Sequence, residues 1–143
     1  MLLSDVNILV NAFRTEAPHH VVCHKLLEEQ VNGESAYAVS DFVINGFIRV
    51  LSITAIHCDP PPTMRQILAF AEQVRNQRHA IVVAPGERHW EIFTRLCKQT
   101  DARRKLIPDA YLAALAIEHG CEFVTCDTDF ARFEGLRWRS PLN

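Results

Sequence analysis

Four aspartates carry the chemistry this sequence can offer: Asp5, Asp109, Asp127 and Asp129. Asp5 follows the apolar pair Leu2-Leu3, Asp109 follows Pro108 at the head of an alanine- and leucine-rich run, and Asp127 and Asp129 follow Phe123-Val124-Thr125-Cys126. Each stands where an apolar, strand-like run ends or a helix begins. In open α/β sheets ligands bind outside the carboxyl ends of the strands, so neighbouring first and last strands would bring these acids into one cleft. Each acid also has a purely structural role open to it: Asp5 as an N-cap, Asp109 as a favourable charge in a first helical turn, Asp127 and Asp129 as turn formers. Gathered in a partly desolvated cleft, like charges repel and raise one another's pKa until a cation joins them. Oxygen donors without soft partners select Mg²⁺ or Mn²⁺, ions that bridge carboxylates to phosphate. A phosphodiester is then the natural substrate, hydrolysed by an activated water attacking phosphorus in line without a covalent intermediate.

The elements that must position these acids follow from the hydrophobic period. Leu2-Leu3 reads as the end of a buried strand, and Ser4 or Asp5 caps a helix over about 6–13. A second helix from about Pro18 carries Val21, Val22, Leu26, Leu27 and Val31 on one face and ends at Gly33. After a strand over 36–39, Ser40 caps a third helix with Val43, Ile44, Phe47, Ile48 and Leu51 inward. The run Cys58-Asp59-Pro60-Pro61-Pro62 is a stiff connector, and Thr63 opens a helix burying Ile67, Leu68, Phe70, Ala71 and Val74. Ala80 to Ala84 has the unbroken apolar character of a strand covered on both faces. A helix over about 87–98 buries Trp90, Phe93, Leu96 and Cys97; Pro108 fits the first turn of another, which Gly120 stops; Glu122 to Cys126 is the last clear strand. Helices alternating with short apolar strands predict an α/β fold, a three-layer α/β/α sandwich around a mostly parallel central sheet, as one domain over residues 1–143.

Composition narrows the partners. At 143 residues, 48% hydrophobic and 22% charged, with a net charge of -2, the chain is neither a disordered tail nor a protein with a global positive field for nucleic acid. Any RNA must be held locally. The N-terminus lacks a basic leader and its apolar run is too short to cross a bilayer, which predicts no membrane partner and a cytoplasmic protein. The five cysteines include no C-x-x-C pair, and neither His20 with Cys23 and His24 nor His119 with Cys121 and Cys126 has a convincing fourth zinc ligand. No glycine-rich nucleotide loop is present.

Three segments carry a resemblance. Leu3-Ser4-Asp5-Val6-Asn7-Ile8-Leu9, Ile107-Pro108-Asp109-Ala110 with Ala113 to Gly120, and Val124-Thr125-Cys126-Asp127-Thr128-Asp129-Phe130 resemble, in order, the signature blocks of PIN-domain nucleases, particularly VapC-type toxins of bacterial toxin–antitoxin pairs. The resemblance implies a PIN-like fold, Mg²⁺-dependent endoribonuclease activity, inhibition by a cognate antitoxin and a homodimer-based assembly. It makes Asp5, Asp109 and Asp127 the catalytic metal ligands, with Asp129 supplementary and Asn7 orienting Asp5 or a water. Arg103, Arg104 and Lys105, just ahead of Asp109, are candidates for the RNA backbone, with a solvated basic loop as their other reading. Arg49 is a further RNA candidate or a partner for a site carboxylate. One departure stands out: the glutamate common on the family's third helix is replaced by Gly46. That substitution leaves an alternative, a catalytically weakened PIN fold that binds RNA or protein. A phosphatase of the haloacid dehalogenase type fits less well, because Asn7 fills the place of its second acid.

Overall fold

The computed structural model describes residues 1–54 and 60–142, so the Cys58-Asp59 part of the predicted connector lies outside the described residues. Its centre is a parallel sheet of very short strands: β1 (Leu2–Ser4), β2 (Tyr37–Val39), β3 (Ala80–Val82), β4 (Glu122–Val124) and β5 (Trp138–Arg139), in the order β3-β2-β1-β4-β5. Every pairing is parallel, and β1 lies against β4 with Leu3 opposite Phe123 and Ser4 opposite Val124. Between the strands run α1 (Val6–Phe13), α2 (His20–Asn32), α3 (Asp41–Thr54), α4 (Met64–Arg75), α5 (His89–Thr100) and α6 (Leu106–Glu118). Helices α1 to α4 pack on one another and α5 packs on α6. Right-handed crossovers explain the partition: the chain steps from β1 to β2 to β3 in one direction, then returns past β1 to β4, which sends α5 and α6 to the opposite face. The strand order therefore reverses between β1 and β4, and the three-layer sandwich has its crevice at their carboxyl ends.

The core is laid down where the periods predicted most of it. Leu3, Phe123 and Val124 fill the centre of the sheet, with Ile8, Phe47, Leu51 and Leu96 packed on it from the helices. Helix α6 is buried almost all round, with Ala110 and Ala113 to Ala116 at 0%, because small side chains let it lie close to the sheet. Thr63 caps α4 in a reciprocal box with Gln66, the reason that helix starts cleanly after the prolines.

Four expectations are corrected. The run at 80–84 is not covered on both faces: β3 is an edge strand bonded only to β2, which leaves Ile81 and Val82 exposed and buries Val83 alone of its three β-branched residues. Trp90 is 71% exposed, because α5 begins at His89 and turns His89, Ile92 and Leu96 inward instead. Val21 is 80% exposed, since Cys23 and Leu27 define the inner line of α2, and Leu68 likewise points outward from α4. The two-residue β5 and the 3₁₀ turn over Thr128–Arg132 carried too little periodicity to be foreseen.

These positions separate in a denaturation experiment. Phe123→Ala is expected to cost about 3–5 kcal/mol of unfolding free energy in urea, whereas Trp90→Ala is expected to cost less than about 1 kcal/mol. Equal losses would contradict the placement of Trp90 on the surface.

Candidate active site

Asp5 is the anchor of the crevice. Its backbone N–H still bonds the Val124 carbonyl at 2.9 Å, so the residue leaves β1 locked to β4 before α1 begins. Its side chain is held at both oxygens: Oδ1 accepts from the Val6 N–H at 2.7 Å, and Oδ2 accepts from Thr125 Oγ1 at 2.7 Å and from Asn7 Nδ2 at 3.1 Å. Asn7 also donates to Thr125 Oγ1 at 3.1 Å and accepts the Cys126 N–H at 3.1 Å. The Thr125 hydroxyl further accepts the Asp127 N–H at 3.0 Å, which uses its one donor and both acceptor directions. The residue that follows β1, one of α1 and the strand-to-turn segment after β4 are thus cross-tied.

Asp127 caps the 3₁₀ turn by accepting the Asp129 N–H at 2.9 Å, which brings two acids to the same rim. Asp109 arrives from the first turn of α6. Between them stands one cation: Lys105 Nζ lies 2.8 Å from Asp127 Oδ2, 3.4 Å from Asp129 Oδ2 and 3.5 Å from Asp109 Oδ2. The loop feeding Lys105 into α6 is tight, with Asp101 and Arg104 both left-handed at φ 49° and 52°, an arrangement costing roughly 1–2 kcal/mol per residue.

The electrostatics follow from crowding. Burial pushes the Asp5 carboxyl above its ordinary range, partly offset by the Thr125 and Val6 hydrogen bonds, with the Asp127 charge adding to the rise. Asp109 is pushed up to about 6, first by burial, against the pull of Lys105 and with Asp5 and Asp127 adding repulsion. Burial also acts upward on Asp127, but the Lys105 and Asp129 hydrogen bonds outweigh it and hold that carboxyl below its ordinary value. The hydrogen bond to Asp127 raises Lys105, so its ammonium stays charged. Burial and neighbouring charge thus push Asp5 and Asp109 up and Asp127 down around a single cation, the kind of divergence that makes a cleft a candidate site.

Of the residues singled out from sequence, Asp5, Asp109, Asp127, Asp129, Asn7 and Lys105 meet here. Arg103 and Arg104 lie exposed on the adjoining loop, Arg103 paired with Asp101 at 3.1 Å. Arg49 does not join them: it is exposed on α3, and no carboxylate among the described residues pairs with it. The residue missed was Thr125, fully buried yet bonded to Asp5, Asn7 and Asp127. A threonine two places before an acid at a strand end is the available signal. Gly46 has a steric reason: a Cβ there would meet Val6 Cγ2 at 2.9 Å, so α3 approaches α1 too closely for a larger side chain without a shift of Val6.

Among the described residues no three His, Cys, Asp or Glu side chains form a ready-made metal cage; the carboxylates stand around an ammonium. The donor chemistry nonetheless suits a hard cation, since three carboxylates already share one positive centre and no nitrogen or sulfur ligand enters. The zinc-like clusters are otherwise engaged. His20 Nδ1 meets the Asn11 carbonyl at 3.0 Å, His119 Nε2 meets the Ala84 carbonyl at 2.7 Å, and burial pushes the Cys23 thiol up to about 12.

Fold and site together define a parallel α/β protein with a carboxylate crevice at its switch point. The PIN domain family model matches residues 2–136. Ribonuclease VapC25 of Mycobacterium tuberculosis is 36% identical over 141 residues, 99% of each chain, and Ribonuclease VapC43 of the same species is 37% identical over 143 residues, 100% of this chain and 97% of its own. Among solved structures, VapBC2 from Rickettsia felis, bound to a promoter DNA fragment, superposes with a TM-score of 0.70 at 16% identity, covering 97% of both chains. Mycobacterium tuberculosis VapC20, described as a sarcin-ricin-loop-cleaving toxin, does so with a TM-score of 0.67 at 16% identity, covering 96% of this chain and 99% of that one. The chain belongs to the PIN domain family, in its VapC branch.

The raised pKa of Asp109 has a measurable consequence. Below the ordinary carboxylate range Asp109 is neutral in both folded and unfolded chains; as pH rises through about 6 its ionisation costs the folded state stability. Asp109→Asn is therefore expected to stabilise the metal-free protein by about 1–3 kcal/mol at pH 8 and by progressively less toward pH 4. Urea unfolding in EDTA at several pH values measures it; a variant less stable than wild type at pH 8 would refute the assignment.

Proposed function

We propose that this protein is a Mg²⁺-dependent endoribonuclease, with Mn²⁺ able to substitute, and the toxin of a toxin–antitoxin pair. The observation that carries the reading is the convergence of Asp5, Asp109, Asp127 and Asp129 at the crevice between β1 and β4 around one cationic centre. The names of its full-length relatives supply the substrate class: VapC25 and VapC43 are called ribonucleases. Asp5, Asp109 and Asp127 would hold the ion, with Asp129 at the rim. When bound, a divalent cation supplies Lewis acidity and charge neutralisation to a phosphodiester.

The chain's own groups do the rest. Asp5, fixed at both oxygens by Val6, Asn7 and Thr125, provides a rigid carboxylate that does not reorganise as charge develops. Asp109, which burial pushes up to about 6 in the metal-free protein, stands at the first turn of α6 where, beside Asp5, it would help hold the ion and orient an attacking water in line with phosphorus. Arg103 and Arg104 are placed beside α6 to hold the RNA backbone without reading bases. Arg49, exposed on α3 and paired with no carboxylate among the described residues, is left to contact the RNA backbone.

The same reading has a cognate antitoxin as inhibitory partner, a homodimer using exposed aromatics such as Phe42 and Trp90, and action in the cytoplasm by one domain over residues 1–143. VapBC complexes among the structural neighbours support the antitoxin partner. No helix among the described residues is long and apolar enough to cross a membrane. The binding-only alternative raised by Gly46 has no observation in its favour, since four carboxylates remain without a third-helix glutamate.

Purified protein is expected to cleave RNA with Mg²⁺ or Mn²⁺, to stop in EDTA and to resume on adding the ion. Asp5→Asn and Asp109→Asn are each expected to lose at least about a hundredfold in rate while melting cooperatively. Thr125→Val, which frees Asp5 Oδ2 from its closest donor, is expected to slow cleavage about tenfold. Full activity in both aspartate variants would sink the proposal.

A further inference from the structure

We propose that Lys105 is the crevice's built-in counter-ion: its ammonium takes the cation's place in the metal-free protein and must be expelled before a divalent ion can enter. This rests on the reading that the crevice takes such an ion. Nζ contacts carboxylate oxygens of Asp127, Asp129 and Asp109 at 2.8, 3.4 and 3.5 Å, so one positive point serves three acids. A divalent ion drawing on the same oxygens would lie within a few Å of that ammonium, and the two like charges compete for one set of donors.

The lysine is built to leave. Its side chain is 66% exposed, so it is held by charge rather than by packing. Its backbone is fixed by the strained loop at Asp101 and Arg104 and by the start of α6, which keep a displaced ammonium tethered at the rim. Arg103 points to Asp101 instead, at 3.1 Å. Lys105 thereby lessens the repulsion among the acids while no metal is present, lowers the affinity for the ion, and becomes free to meet an anionic phosphate only once the ion has arrived.

Isothermal titration of Mn²⁺ into the full-length wild type, Lys105→Gln, Arg104→Gln and Asp109→Asn tests this, with melting curves of each with and without Mn²⁺. Lys105→Gln is expected to bind Mn²⁺ about tenfold more tightly and to show a larger Mn²⁺-induced rise in melting temperature than wild type. Arg104→Gln removes the same charge one residue away and is expected to stay within about twofold. An unchanged or weaker affinity in Lys105→Gln, with Asp109→Asn still abolishing uptake, overturns the counter-ion role and leaves the metal site standing. Equal tightening in Arg104→Gln also overturns it, as a field effect. No uptake by either wild type or Lys105→Gln overturns both this role and the metal reading.

Discussion

Mutual repulsion among aspartates governs this molecule. Asp5, Asp109, Asp127 and Asp129 are brought to one crevice by a sheet whose strand order reverses between β1 and β4, and burial raises the cost of ionising the inner two. Such an arrangement is tolerable only with a positive charge among the acids, and in the metal-free protein Lys105 provides it. The crevice is accordingly a place where repulsion among buried and half-buried acids opposes folding and one ammonium offsets it.

The site divides into a rigid floor and a movable cation. The floor is the set of hydrogen bonds centred on Thr125, whose hydroxyl links Asp5, Asn7 and the Asp127 backbone with none of its capacity left over. The bonds to Asp5 and Asn7 join residues separated by more than a hundred positions, which β1 and β4 already hold together through the Asp5 N–H. Lys105 is the opposite case: exposed, anchored only through charge, and fed by a loop with two left-handed residues. Precision resides where the sheet is, and exchange where the loop is.

Gly46 shows the same division at the edge of the site. Helix α3 runs so close to α1 that a Cβ at 46 would press on Val6, the residue directly after Asp5. A close helix–helix approach therefore stands where the resemblance led to the expectation of a further acid, and the remaining carboxylates come from strand ends and from α6. The VapC branch of the PIN domain family accommodates this chain along its whole length at 36–37% identity, whereas its solved structural neighbours share the fold at 16%. The path of the chain is thus far more durable than its side chains.

The sequence by itself determined the elements and the acids. Asp5, Asp109 and Asp127 were readable because strand ends and helix starts announce themselves through local period and capping, and so were the parallel sheet and the buried face of α3. Tertiary structure decided what no local pattern encodes. Ala80 to Ala84 is as apolar as any core strand, yet its place at the sheet edge exposes Ile81 and Val82; α5 seats His89, Ile92 and Leu96 on the core, which turns Trp90 outward. Thr125 looks like any strand threonine until Asp5 and Asn7 meet it, and Lys105 looks like any loop lysine until three acids surround it. Local sequence fixes dihedral preference and polarity over a few residues, while burial, pairing and charge neighbours are properties of contacts between distant segments, which exist only once the chain has closed.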